Sequence, residues 1–120
     1  MKVAAIIQAR MSSTRLPGKV LTDISGHPML YHVVERVRYS DEVDEVIIAT
    51  SESLADSQIV SLADCLKIPV FAGSEDDVLD RFVRTARHVG ANQVVRITGD
   101  CPLIDPAIIN ETIRLHLTNQ

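Results

Sequence analysis

Tryptophan is absent from the 120 residues, and aromatic side chains make up only 3%. A core without large rings must be packed from Val, Ile, Leu and Ala. Cysteine is also scarce. Cys65 and Cys101 form no metal-binding or redox spacing, and two such thiols suit a reducing compartment. No apolar run approaches the roughly 20 residues of a membrane span. The run behind Met1-Lys2 is also shorter than the roughly 7–15 residues of a secretory signal. These absences lead to the expectation of a cytoplasmic protein with no membrane partner. A basic excess is missing too: the formal net charge is −4, which argues against a general nucleic-acid binder.

Against these absences stands an ordinary globular balance of 46% apolar and 23% charged residues, at a length that suits one domain. Apolar runs at Val3–Gln8, Val46–Ala49, Pro69–Ala72 and Gln93–Thr98 read as four strands. The first two are apolar on both faces, as central parallel strands are. Helices separate them. Pro28 is expected at the first position of one, followed by a stripe of Leu30, Val33, Val34 and Val37. Ser51 or Ser53 is expected to cap the second helix, with Ile59, Leu62, Ala63 and Leu66 inward. Ser74 to Asp77 resembles a capping box for the third, with Leu79, Phe82, Val83 and Ala86 inward and Gly90 at its end. Asp105-Pro106 opens the fourth, with Ile108, Ile109, Thr112 and Leu115 mainly on its apolar side. Alternating strands and helices predict a Rossmann-like, three-layer α/β/α fold around a parallel sheet. The expected strand order is 3-2-1-4. That order opens the loops after the first and fourth strands side by side at the switch point, where open α/β sheets bind ligands. A flavodoxin-like order would set Gly73-Ser74 beside the first loop instead.

The first loop carries the chemistry. Gln8-Ala9-Arg10-Met11-Ser12-Ser13-Thr14-Arg15-Leu16-Pro17-Gly18-Lys19 holds three cations, three hydroxyls, a Pro-Gly turn and no acid. It has no helical or strand period, and the irregular segment runs on to about His27. A long structureless loop at a strand end is usually functional. Arg offers a planar fork for phosphate oxygens and Lys a point charge, while turn-rich backbone can form an anion nest. The loop therefore suits an oligophosphate. It is not a Walker loop, because Ser13 stands where the first Gly belongs and Val20 where a Ser or Thr belongs. No GxGxxG occurs, which disfavours hydride chemistry on a dinucleotide.

Asp100 follows the fourth strand in Thr98-Gly99-Asp100. A carboxylate beside a triphosphate is a natural Mg²⁺ ligand; a turn-capping Asp is the alternative. Ser74, Asp77, Asp80 and Arg81 form a second polar cluster, readable as a base or ribose contact or as a capped, solvated helix face. His27 falls in a turn, and His32, His88 and His116 fall at helix surfaces. Cys101 reads as structural. No Ser-His-Asp or Cys-His arrangement emerges.

Three ordered stretches carry a family resemblance: Ile7 to Leu21, Gly73 to Phe82, and Thr98 to Pro106. They resemble the sugar cytidylyltransferases, with the spore-coat polysaccharide cytidylyltransferase-like branch nearest. They are also similar to the 3-deoxy-manno-octulosonate and acylneuraminate cytidylyltransferases. The resemblance implies transfer of CMP from CTP to an acidic sugar with release of pyrophosphate. It implies that Arg10, Arg15 and Lys19, with Gln8, Ala9, Met11, Ser12, Ser13, Thr14 and Gly18, hold the triphosphate. Ser74, Asp80, Arg81 and Thr98 would meet the nucleoside, and Asp100 would hold Mg²⁺. Arg10, Lys19 and Asp100 would act on the reacting phosphates. The resemblance spans the whole chain but only about the N-terminal half of a family member. Residues 1–120 are therefore expected to form a single nucleotide-binding domain, the N-terminal half of a longer nucleotidyltransferase. The fourth strand would then be a sheet edge bearing Val94, Val95 and Ile97, inviting homodimerisation or another association. A non-catalytic binding or interaction module is the other reading.

Overall fold

The four apolar runs form one parallel sheet in the expected order. The computed structural model describes residues 2–11, 18–99 and 104–118. Its elements are β1 (Val3–Gln8), a short hairpin of β2 (Asp23–Ile24) and β3 (His27–Pro28), α1 (Met29–Arg38), β4 (Glu45–Ser51), α2 (Ser57–Leu66), β5 (Val70–Gly73), α3 (Val78–Val89), β6 (Gln93–Thr98) and α4 (Pro106–Thr118). The sheet runs β5-β4-β1-β6, so the third, second, first and fourth apolar runs lie side by side. In register, Ile7 sits between Ile48 and Ile97, and Gln8 sits between Ala49 and Thr98. The crossovers place the C-terminal ends of β1 and β6 together, at the point where strand order reverses.

The sheet divides two cores. On one face Ala5, Ile7, Ile48 and Ile97 meet the buried stripe of α1 (Leu30, Val33, Val34, Val37), Ile59 and Ala63 of α2, and Ile109 and Ile113 of α4. On the other, Ile6, Ile47 and Ala49 meet Phe71 and, from α3, Phe82, Ala86 and Val89. Three helices thus cover one face and one covers the other. No helix among the described residues is long and apolar enough to cross a membrane.

Several local expectations give way. Residues 9 to 27 are not wholly irregular: Lys19–Leu21 form a 3-10 turn, and β2 and β3 pair around Ser25-Gly26, both with positive φ (53° and 91°). Those angles suit a tight hairpin, and the Asp23 carboxylate receives the Gly26 N–H at 3.3 Å. Pro28 belongs to the hairpin rather than to α1. Its extended ψ of 149° pairs it opposite Asp23, and the helix starts at Met29.

Neither Ser51 nor Ser53 caps α2 through its side chain. A 3-10 turn, Leu54–Asp56, intervenes, and Ser51 Oγ donates to the Asp56 carboxylate. The third helix is capped by Asp77 rather than by a Ser74–Asp77 box. Ser74 Oγ receives the Asp77 N–H at 3.1 Å, and Asp77 in turn accepts from Asp80 N at 2.9 Å. The inward face of α3 is turned by about one residue from the expected one. Arg81 and Thr85 are its buried residues, while Leu79 is 72% exposed and Val83 is exposed as well. On α4, Ile109 and Ile113 point inward and Ile108 and Leu115 outward. In both helices the apolar residues outnumber the positions the sheet can cover, and the packing selects among them.

Candidate functional site

A cleft of about 220 Å³ opens at the C-terminal ends of β1 and β6. Gln8, Arg10, Lys19, Val20, Arg81, Thr98 and Gly99 line it. Five of these seven were singled out by sequence, and three are cations. Gln8 and Arg10 arrive directly from the end of β1, and Thr98 ends the adjacent β6. Gly99 allows the close approach: a Cβ there would lie 3.0 Å from the Gln8 carbonyl oxygen, which already accepts the Gly99 N–H at 2.8 Å.

Arg81 reaches the cleft from α3, bridging over β4. It is 1% exposed. Its Nη1 donates to the Ser74 carbonyl at 2.9 Å, and its main-chain carbonyl receives the Thr85 hydroxyl. Burial pushes its pKa below the ordinary arginine value, and Arg10 and Arg96 push it the same way. Asp56 opposes them. Gly73 provides the room: a Cβ there would come within 3.0 Å of Arg81 Cγ. The 3-2-1-4 order therefore does not exclude the Gly73-Ser74 region from the site. The helix that follows it carries a cation back to the first loop.

The Gln8 amide has a defined orientation. Arg96 Nη2 donates to Gln8 Oε1 at 3.2 Å, and arginine can only donate, so the amide oxygen faces Arg96. Gln8 Nε2 is buried with no hydrogen-bond partner among the described residues. Leaving a buried donor unmet costs on the order of 1–3 kcal/mol, which a ligand oxygen would offset.

The main chain around the first loop is partly committed. Ala9 N donates to the Ala49 carbonyl at 3.0 Å, Met11 N to Asp56 Oδ1 at 2.7 Å, and Gly18 N to the Met11 carbonyl at 2.7 Å. Gly18 takes a left-handed φ of 74°. These three donors serve the fold in this conformation rather than point into the cleft. Arg10 Nη2 lies 4.0 Å from Glu75 Oε1.

The remaining sequence candidates separate. Asp80 pairs with Arg84 at 3.0 Å and Ser74 Oγ accepts the Asp77 N–H; neither lines the cleft. Ser12, Ser13, Thr14, Arg15 and Asp100 lie outside the described residues, as do Leu16, Pro17 and Cys101. Sequence reasoning missed Val20, Gly99, Arg96 and Asp56. Asp56, 1% exposed, looks from sequence like an ordinary acid before a helix. The available signal was its place just after the end of β4, on the ligand-binding edge of the sheet.

A parallel sheet with a cationic cleft at its switch point is the arrangement of the Rossmann-like nucleotidyltransferases. The chain belongs to the cytidylyltransferase family, whose model matches residues 4–120. It is 44% identical over 117 residues to the spore coat polysaccharide biosynthesis protein SpsF of Bacillus subtilis, covering 92% of this chain and 48% of that protein. Among solved structures, a cytidylyltransferase from Leptospira borgpetersenii superposes with a TM-score of 0.94 at 38% identity, over 100% of this chain and 50% of that one. The CMP:2-keto-3-deoxy-manno-octonic acid synthetase complexed with CTP gives 0.83 at 31% identity, over 95% and 46%. The chain thus spans about half the length of these relatives.

Proposed function

We propose that this chain is the nucleotide-binding half of a cytidylyltransferase that transfers CMP from CTP to an acidic sugar, releasing pyrophosphate, for polysaccharide synthesis. The observation that carries this reading is the convergence of Arg10, Lys19 and Arg81 on one cleft at the sheet's switch point. Cations fixed before the ligand arrives neutralise a polyphosphate without reorganising during reaction. Arg10 and Lys19, joined by Arg15, would hold the triphosphate. Gln8 Nε2 and Thr98 offer polar groups at the same opening. The relative solved with CTP supports the choice of nucleotide.

In the reaction so assigned, a sugar oxygen forms a bond to the α-phosphorus and the bond to the pyrophosphate leaving group breaks. Arg10 and Lys19 offset the charge that develops on the leaving phosphates, and the cleft holds the reactants in line. The described residues contain no cluster of three His, Cys, Asp or Glu able to hold a metal by themselves. Mg²⁺ does not need such a cluster, because it typically takes one or two carboxylates plus phosphates and water. Asp100, immediately after Gly99, would hold it, and the ion would supply charge neutralisation at the phosphates.

The relatives are about twice as long, so binding and turnover are tested separately. Calorimetric titration of the chain with CTP and Mg²⁺ is expected to show saturable binding that Lys19→Ala and Asp100→Ala abolish. Absence of binding, or indifference to both substitutions, would overturn the assignment. A pyrophosphate-release assay with CTP and 3-deoxy-manno-octulosonate or another acidic sugar then tests turnover. Binding without release would favour a non-catalytic nucleotide-binding module.

A further inference from the structure

A buried carboxylate beneath the cleft carries a role that cap chemistry does not explain. Asp56 ends the 3-10 turn before α2, yet its side chain makes no helix-capping bond. Both of its oxygens are used elsewhere. Oδ1 accepts the Met11 N–H at 2.7 Å, across 45 residues of sequence, and Oδ2 accepts the Ser51 hydroxyl. Ser51 is the last residue of β4, and its oxygen also receives the Ser53 N–H at 3.1 Å. Asp56 therefore ties the end of β4 to the segment leaving β1.

Met11 passes the constraint on. Its N–H is held by Asp56 and its carbonyl receives the Gly18 N–H at 2.7 Å. One peptide unit on each side of Met11 is thereby fixed. Arg10 precedes it directly. Gly18 precedes Lys19, and the 3-10 turn Lys19–Leu21 is closed by Leu21 N and Thr22 N donating to the Gly18 and Lys19 carbonyls. Both loop cations that line the cleft are thus one residue from a bond in this chain. The Asp56 charge also opposes the repulsion that Arg10 and Arg96 exert on Arg81.

We propose that Asp56 is a positioning residue for the nucleotide cleft, setting Arg10 and Lys19 through the Met11 backbone. The inference rests on the reading of this cleft as a nucleotide site. It assigns to Asp56 no contact with the nucleotide. A carboxylate fits the place because Met11 N and Ser51 Oγ are both donors, and an ionised acid accepts from both. Asparagine can keep the geometry: its oxygen accepts from Met11 N and its amine donates to Ser51 Oγ. Alanine cannot.

The test compares Asp56→Ala, Asp56→Asn and Ile113→Ala in the full chain, by site-resolved amide hydrogen exchange and by CTP titration. Ile113 is buried in α4, on the opposite face of the sheet from α3, and serves as a control for stability lost away from the cleft. Asp56→Ala is expected to lose protection at the Met11 and Gly18 amides while β1 keeps its own. It should weaken CTP binding roughly tenfold. Asp56→Asn is expected to retain most of both, and Ile113→Ala to lose stability with neither effect. Should the alanine variant fail to fold, Asp56→Ser supplies the same readout, since it leaves a hydroxyl for Ser51 and withdraws from Met11. Unchanged protection at Met11 and Gly18 would overturn the proposal. So would equal weakening of binding by Ile113→Ala, or an asparagine variant as impaired as alanine. If the unaltered chain binds no CTP, the nucleotide reading fails by itself, and exchange at Met11 and Gly18 still decides whether Asp56 sets these segments.

Discussion

The two faces of the central sheet are built on different principles. The face under α1, α2 and α4 holds the larger apolar core, with Leu30, Val33, Val34, Val37 and Ile59 fully buried. The face under α3 has a smaller apolar centre and buries an arginine and a threonine as well. An aliphatic core gains stability from area removed from water. A buried guanidinium loses hydration and must be held by specific acceptors. The contrast shows where the chain spends packing on stability and where it gives up some of that to hold charge at the cleft.

The largest expected break is on the aliphatic face. Leu30→Ala should cost about 2–5 kcal/mol by urea unfolding, because it leaves a cavity in this fully buried cluster. The folded protein should keep most of its nucleotide affinity, since Leu30 does not itself line the cleft. Next comes Arg81→Lys, which keeps the charge and loses the fork that reaches the Ser74 carbonyl. A cost of about 1–2 kcal/mol is expected, with CTP affinity lowered roughly tenfold.

The pH dependence of that variant sharpens the comparison. Native Arg81 holds its proton less tightly than an unfolded arginine does. The unfolded chain therefore binds more protons between the two pKa values, and stability from this group rises as pH climbs towards the arginine range. Near neutrality both states are protonated, so the stability cost of Arg81→Lys should be flat with pH. A cost that varies steeply there would mean another group is responsible.

Smaller effects belong to the cleft alone. Gln8→Glu should strengthen the contact with Arg96 and leave stability within about 0.5 kcal/mol. It removes the Nε2 donor and adds negative charge, so CTP affinity should fall several-fold at low salt and recover partly as salt is raised. The smallest change is Glu75→Gln. Glu75 is half-exposed and 4.0 Å from Arg10, so its removal should leave stability unchanged and raise CTP affinity about twofold. Titrations in parallel with thermal unfolding separate the two readouts. Loss of affinity on Glu75→Gln would show that the acid orients Arg10 rather than competes for it.

The fold was legible because Val3–Gln8 and Gln93–Thr98 are short apolar runs separated by helical stripes, and right-handed crossovers leave few topologies. The phase of α3 was not. Leu79 and Val83 satisfy the helical period as well as Phe82 and Ala86 do, and only the position of β5 and Gly73 decides that Arg81 turns inward. The Ser25-Gly26 hairpin was hidden for a related reason. Two-residue strands carry no readable period, and Pro28 is as good a helix opener as a strand end. In the site, Arg10 and Lys19 were visible from charge clustering after a strand. Asp56 was not, because its function depends on a partner 45 residues away.

The central position of β1 also gives its two pairings different loop-closure costs. The N-terminal end of this strand is tied to Asp44 across 41 residues and to Asn92 across 90. Closing the longer loop costs about 0.7 kcal/mol more entropy than the shorter one, and distant pairings slow folding generally. During synthesis β1 can zip to β4 long before β6 has left the ribosome. Until β6 pairs, one side of the central strand is bare. The cleft, which takes Thr98 and Gly99 from the end of β6, is complete only once β6 pairs with β1. A ligand that binds there stabilises chains that have completed this pairing.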